Sequence, residues 1–411
     1  MPINKYSAIA LSTVALLGGL AAGPVAAQDK QIVTFAAASF AEPGRGDKMR
    51  AWVDKFNRSQ NKVEVQPIAI PFSSFVSTIF TQMGGGAGPD LVRFDLPEFY
   101  AAAAAKRLAP LDAYIDEKAH KLTAPDKYMK IGGKRYGVVF EVSNYSALYN
   151  TALLKGKPPA NFDEFLAAAK AATGNGNYGY AYRATMAERG GMWYDLTNYV
   201  YGFGGRWSDE KGNPTINSPA VIKGVAAYKQ VYDANVIPKG ADASTYRRMF
   251  AEGKIASVID NGGVAANLAT AGKDLKLAAA PSPFPTRAQG MILAPITINA
   301  NAKHKDGAGA FLRWMLTPEA QKELQQIHGA SSVAIPVERT PEELAKWPWI
   351  TVYDQQTQNA VPALPQGLET KAPEIQQVII EQVIKVLQAG VDPTTAMNAA
   401  QQTVVNRVLK H

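Results

Sequence analysis

Between Gln31 and Val92 the sequence switches repeatedly between the period of a strand and that of a helix. Gln31 to Ala36 is a short apolar run. After a loop containing Pro43-Gly44, the residues Met49, Trp52, Val53 and Phe56 recur at helical spacing. Val63 to Ile70 alternates and stops at Pro71, Phe75 to Met83 is helical again, and the glycines from Gly84 to Gly88 lead into the apolar run Leu91-Val92. This βαβαβ order predicts a mostly parallel sheet with helices on both faces, whose ligand crevice lies beyond the carboxyl ends of the strands. Ser39 to Arg45, including Phe40, and Phe94-Asp95 fall at that edge. The pattern restarts after Tyr136-Gly137-Val138 with strand-like Ala147 to Asn150, helical Phe162 to Ala172 and strand-like Tyr178 to Arg183. A second lobe is therefore expected, giving an α/β chain of two lobes.

The 411 residues exceed what one hydrophobic core usually spans, which agrees with two lobes. With no cysteine in the sequence, disulfides, thiolate catalysis, Cys-ligated metals and a lipid-anchored N-terminal cysteine are all excluded. The histidines His120, His304, His328 and His411 are far apart and form no i,i+4 pair, so no metal site is expected. A net charge of +8, spread without a block of like charges, gives no ground for nucleic-acid binding.

At the N-terminus Lys5 precedes an apolar stretch, Ala8 to Ala22, followed by Gly23-Pro24 and the small residues Val25-Ala26-Ala27. This order reads as a signal peptide over residues 1–27, cleaved before Gln28. The apolar run is about 15 residues and falls short of the roughly 20 that span a bilayer. Export to a bacterial periplasm without a lipid anchor is the expectation.

Gly174-Asn175-Gly176-Asn177-Tyr178-Gly179 matches G-x-G-x-x-G, but a helix precedes it and a strand follows, the reverse of a nucleotide-binding turn, so an αβ turn is expected. No G-x-S-x-G elbow occurs. The carboxylates Asp95, Glu98, Glu141 and Asp260 leave a secreted glycosidase as an alternative, with two of them acting as acid and base. A further signal is the aromatic, amide-rich stretch from Trp193 and Tyr194 to Tyr199, with Tyr201, Phe203 and Trp207 close behind. Aromatic platforms flanked by polar side chains suit sugars, whose rings have apolar faces and polar edges. The same spacing is also that of a packed helix.

Taken together, Gly88-Pro89-Asp90-Leu91-Val92, Leu108-Ala109-Pro110-Leu111-Asp112, Leu148-Tyr149-Asn150 and Pro158 to Glu164 resemble the family 1 extracellular solute-binding proteins of ABC importers, the group of the maltose-binding protein. Phe250 to Ala256, Lys303 to Leu312 and Thr317 to Gln321 continue the likeness, which covers nearly all of residues 28–411. The resemblance implies two α/β lobes, residues 28–138 with 265–334 and residues 139–264 with 335–411. It places hinge crossings near Val139 to Val142, Asp260 to Val264 and Val333 to Pro336. It implies a periplasmic receptor that captures a carbohydrate-like solute and delivers it to the transmembrane subunits of an ABC permease, acting as a monomer without catalysis or cofactor. Phe94 and Asp95 would face the cleft from the first lobe, Glu141 from the first crossing, Trp193 and Tyr194 from the second lobe, and Asp260 with Asn261 from the second crossing. Phe40 and Arg45 complete the candidate set. Gly262-Gly263-Val264 departs from the family pattern, because many sugar binders carry an aromatic there. That departure leaves open a small polyol, a monosaccharide, or an anionic solute such as a sugar phosphate or organic acid held by Arg45, Arg93, Arg183 or Arg206.

Overall fold

A computed structural model describes residues 30–42, 44–272 and 275–410. The expected leader and its cleavage site lie outside the described residues. The first lobe opens with β1 (Gln31–Ala37), α1 (Gly46–Ser59), β2 (Val63–Ala69), α2 (Phe72–Gly84), β3 (Leu91–Arg93) and α3 (Leu96–Ala104). β1 runs parallel to both β2 and β3. A small hairpin, β4 (Lys130–Ile131) with β5 (Lys134–Arg135), precedes β6 (Val138–Ser143) and β7 (Tyr145–Asn150). The second lobe adds α4 (Phe162–Ala172), α5 (Arg189–Gly202), α6 (Pro219–Asp233), α7 (Ala243–Ala251), β8 (Ser257–Asn261), α8 (Gly262–Ala271) and β9 (Leu277–Ala280). β10 (Gln289–Ile298), α9 (Lys305–Met315) and α10 (Pro318–His328) return to the first lobe. The chain ends with α11 (Pro341–Lys346), α12 (Ile350–Gln356), β11 (Ala360–Pro362), α13 (Ala372–Gln388) and α14 (Pro393–Thr403).

The first core lies between the sheet β11-β10-β3-β1-β2 and its helices. Met49, Trp52, Val53 and Phe56 turn one stripe of α1 inward, as their spacing predicts. Trp52 meets Phe311 and Phe140 edge-on at 5.5 and 6.2 Å, and its indole N–H donates to the Ala320 carbonyl at 3.0 Å. The second core is built around α5, which is buried nearly all round from Met192 to Gly202. Its buried polar residues Asp195, Thr197 and Asn198 are each hydrogen-bonded, as an interior position requires.

Three findings depart from the sequence expectation. Ala265, Ala266 and Leu268 of α8 pack with Leu148 and Phe250, and β9 pairs with β7, so the chain stays with the second lobe well past residue 265. The crossing expected at Asp260 to Val264 is instead a helix start, and β10 makes the return. Its Gln289–Met291 pair with β11, Ile292–Ile296 with β6, and Ile296–Ile298 with β3. In the second sheet β7 runs antiparallel to both β8 and β9, because the chain passes almost straight from β6 into β7 through Asn144; parallel bridges join residues 178 and 181 to the β8 edge. The glycine motif at Gly174 forms the expected αβ turn. Gly174 and Asn177 exchange backbone hydrogen bonds, and Asn175 and Gly176 take φ of 50° and 83°.

Candidate functional site

On the first-lobe side, the loop after β1 ends at Arg45, the residue before α1. Its guanidinium donates to Glu42 at 3.3 Å and to Glu141 Oε2 at 2.7 Å, and it also meets Nδ1 of His328. Arg93, at the carboxyl end of β3, donates to Asp95 at 2.6 Å and lies 3.6 Å from Glu141 Oε2. The second oxygen of Glu141 accepts from Ser331 at 3.1 Å, and Ser331 stands 2.8 Å from the Ser143 hydroxyl. Burial opposes ionisation of Glu141, but Arg45, His328 and Arg93 outweigh it and hold the carboxyl well below the usual carboxylate range. The start of α8 closes over this group. A Cβ on Gly262 would sit 2.5 Å from the Ala330 carbonyl oxygen and one on Gly263 3.4 Å from Glu141 Oε1. The first turn of α8 thus presses on the chain just before the third crossing and leaves no room for a side chain at residue 262.

The second lobe presents two more arginine–carboxylate pairs. Asp195 on α5 accepts from the Arg183 guanidinium at 2.8 Å and from its backbone N–H at 3.0 Å. Arg183 lies flat on the first turn of α5 because residue 191 is glycine; a Cβ there would fall 2.3 Å from Arg183 Nε. Asp260, at the end of β8, takes two hydrogen bonds from Arg247 at 2.9 and 3.0 Å, the fork geometry that suits a guanidinium. Both guanidinium groups stand near the Tyr246 ring, at 5.9 and 5.8 Å.

Tyr194 joins the two sides. It stacks on Tyr145 at 6.4 Å, and its phenol is pushed up by burial and then by the charges of Asp95 and Glu98, which belong to the first lobe. The structure therefore brings Arg45, Asp95 and Glu141 together on one side, while on the other Tyr194 stands against Tyr145 and Asp260 is held by Arg247. The remaining candidates point elsewhere. Phe40, 2% exposed, packs edge-on to Phe35 at 5.1 Å, and Phe94, 1% exposed, packs edge-on to Phe80 at 5.9 Å. Trp193 faces the second core, stacked on Trp207 at 4.9 Å with its N–H on the Ala363 carbonyl at 2.7 Å. One residue along a helix turns a side chain by about 100°, so Trp193 and Tyr194 cannot share a face. Asn261 caps α8, its side-chain oxygen accepting from the Val264 N–H at 3.1 Å. Arg206 covers Tyr201 at 4.6 Å and joins neither cluster.

The sequence reading missed Arg247, Ser331 and Tyr145, and considered His328 only as a metal ligand. A carboxylate inside a strand, such as Asp260, announces that some cation must meet it, but nothing local says which. Among the described residues there is no cluster of three metal-ligating side chains, and no helix is long and apolar enough to cross a membrane.

The model of the bacterial extracellular solute-binding protein family matches residues 41–322. The chain belongs to that family. Among solved structures, the GacH receptor of Streptomyces glaucescens, studied unliganded and with acarbose, is 21% identical with a TM-score of 0.82, covering 93% of this chain and 99% of that one. The ABC substrate-binding protein Lmo0181 of Listeria monocytogenes, in complex with cycloalternan, is 21% identical with a TM-score of 0.79, covering 93% and 100%. UgpB of Mycobacterium tuberculosis, in complex with glycerophosphocholine, is 18% identical with a TM-score of 0.78, covering 93% and 99%. No curated protein matches the chain by sequence. The two-lobed fold is thus that of the solute-binding proteins, a family of binding proteins.

Two buried groups give this solute-binding protein opposing pH limbs. His328 is pushed down to about 3, by burial first and then by Arg45 and Arg93, against the pull of Glu141. Its folded pKa lies below the usual 6.5, so its contribution to stability is full above that value and is lost as pH falls toward 3. Glu98 is raised to about 8 by burial and by Asp95. Its contribution is full below the usual 4.5 and is lost as pH rises through 8. Denaturant melts from pH 5 to 8 are expected to show wild type losing on the order of 3 kcal/mol through Glu98, a loss that Glu98→Gln removes. Parallel slopes in the two proteins would mean that Glu98 is already ionised in the fold.

Proposed function

We propose that this chain is the exported receptor of an ABC importer and closes its two lobes on a polyhydroxylated, carbohydrate-like solute. The observation that carries this reading is that the four arginines of the seam each come with a carboxylate. Arg45 stands with Glu141 and Arg93 with Asp95 on one side, Arg183 with Asp195 and Arg247 with Asp260 on the other. Such pairs offer acceptors and donors side by side, which is what hydroxyl groups need, since each both donates and accepts. The charges of the arginines are already matched. Tyr194 supplies an aromatic face between the two sides, suited to the apolar face of a sugar ring. The acarbose and cycloalternan complexes of similar fold support the same class of solute. Closure selects the two-sided contact, and the ligand's differential affinity for the closed form drives it. Catalysis has no part in this reading, because Glu141, Asp95 and Asp260 are each held by an arginine. The leader and the family together support a periplasmic location, with permease subunits as the partners of a monomeric closed form.

The test is native mass spectrometry of protein taken from its own periplasm. The expected result is a mature chain beginning at Gln28 that carries a sugar or polyol, with Tyr194→Ala weakening that solute by about 1–3 kcal/mol in calorimetric titration. A chain that retains Met1, or one whose bound solute ignores the Tyr194 change, sinks the reading.

A further inference from the structure

Where α1, α8 and the end of α10 meet, a cavity of about 40 Å³ remains open at the seam. Arg45 and Lys48 line it from the first turn of α1, Asn267 and Thr270 from α8, His328 from the end of α10, and Trp347 from the chain beyond the third crossing. Both lobes therefore contribute walls. The volume exceeds the 10–15 Å³ or so that one water requires, and it is too small for a sugar ring.

The chemistry of the lining is one-sided. No carboxylate lines the cavity; Arg45 is matched by Glu141 and Glu42, which leaves Lys48 as the lining cation without a salt bridge among the described residues. Nε of Arg45 is buried without a hydrogen-bond partner. Because Nδ1 of His328 faces a guanidinium that can only donate, the neutral ring carries its hydrogen on Nε2 and turns it toward the Phe140 backbone, so the orphan donor is Arg45 Nε. Orphan buried donors cost free energy until an acceptor reaches them. Water would fill the space but would bring hydrogens that find few acceptors there. An oxyanion has acceptors alone.

We propose that this cavity receives an anionic oxygen group, a carboxylate or phosphoryl borne by the polyhydroxylated solute. The proposal rests on the reading that such a solute lies between the lobes, and it deepens that reading by adding an acidic substituent. The matched arginine pairs hold hydroxyls, and the seam cavity distinguishes an acidic sugar or polyol ester from its neutral parent. Lys48 is exposed, so changing it leaves the core untouched.

Inorganic phosphate is the probe that tests the cavity without the solute. Thermal melts of the whole mature protein are expected to rise saturably with millimolar phosphate. Lys48→Met should weaken that effect about tenfold in phosphate concentration, while Lys48→Arg retains it. Asn267→Leu, which fills the space without changing charge, should abolish it. An equal rise in wild type and Lys48→Met, or one that never saturates, is the general salting effect of phosphate and overturns the proposal. The polyol reading fails separately: if a panel of neutral sugars gives no binding while phosphate still protects through Lys48, the cavity stands and the neutral hydroxyl site does not.

Discussion

Glu141→Ala is expected to lower the unfolding free energy by about 3–5 kcal/mol, the cost of removing one partner from a buried ion pair. Arg45 and Arg93 would both lose their shared carboxylate, and each is largely enclosed, with 13% and 14% of its side chain exposed. Ser331 would lose the carboxylate acceptor that ties the third crossing to the first. Solute binding should fall with stability, because in the proposed reading the same arginines hold the solute. Glu141→Gln separates the contributions: it keeps a hydrogen-bond acceptor for Ser331 while removing the charge, so it should recover part of the hinge and little of the arginine pairing. Denaturant melts of the two variants beside wild type make the comparison. An alanine variant within about 0.5 kcal/mol of wild type would show that the arginines find other partners.

Trp193→Ala is the second large effect, expected to cost about 3–5 kcal/mol by opening a cavity beside Trp207 and freeing the Ala363 carbonyl. Because the ring faces away from the seam, the folded fraction should bind solute as tightly as wild type. Calorimetric titration under conditions where the variant remains folded checks this. A variant that is stable yet binds weakly would return Trp193 to the cleft. Tyr194→Ala should behave in the opposite way, with a clear loss of affinity and a smaller loss of stability, so the neighbouring pair reads out the two faces of α5.

The contrast between these neighbours shows what the sequence could and could not convey. The βαβαβ order of the first lobe was legible because strand and helix periods are local signals, and it placed Arg45 and Asp95 just beyond the carboxyl ends of β1 and β3, where the structure also has them. The aromatic stretch at 193–207 signalled burial and binding with the same residues, since α5 is enclosed on all sides and only its angular position separates Trp193 from Tyr194. Phe40 and Phe94 fell at the right edge of the sheet, yet their rings turn back into the first core. The return crossing was misplaced for another reason: Asp260 to Val264 has the look of a strand leaving a sheet, while what carries the chain back is the pairing of β10 with three other strands. Long-range pairing leaves no local trace. Neither does the meeting of Arg247 with Asp260, or of His328 with Arg45, the latter 283 positions apart.

β10 also determines how stability is shared. One uninterrupted strand is hydrogen-bonded at its start to β11, in its middle to β6 and at its end to β3, with a register shift only between Ala294 and Pro295. Two lobes joined by slack linkers would melt as separate bodies, each with its own transition. Here the loss of β10 would unzip β11, β6 and β3 together, while the β8-β7-β9 sheet of the second lobe keeps its own hydrogen bonds. The sheet of the first lobe therefore stands or falls with one strand, and damage at Glu141, which sits opposite Ala294 in that pairing, strikes at its middle.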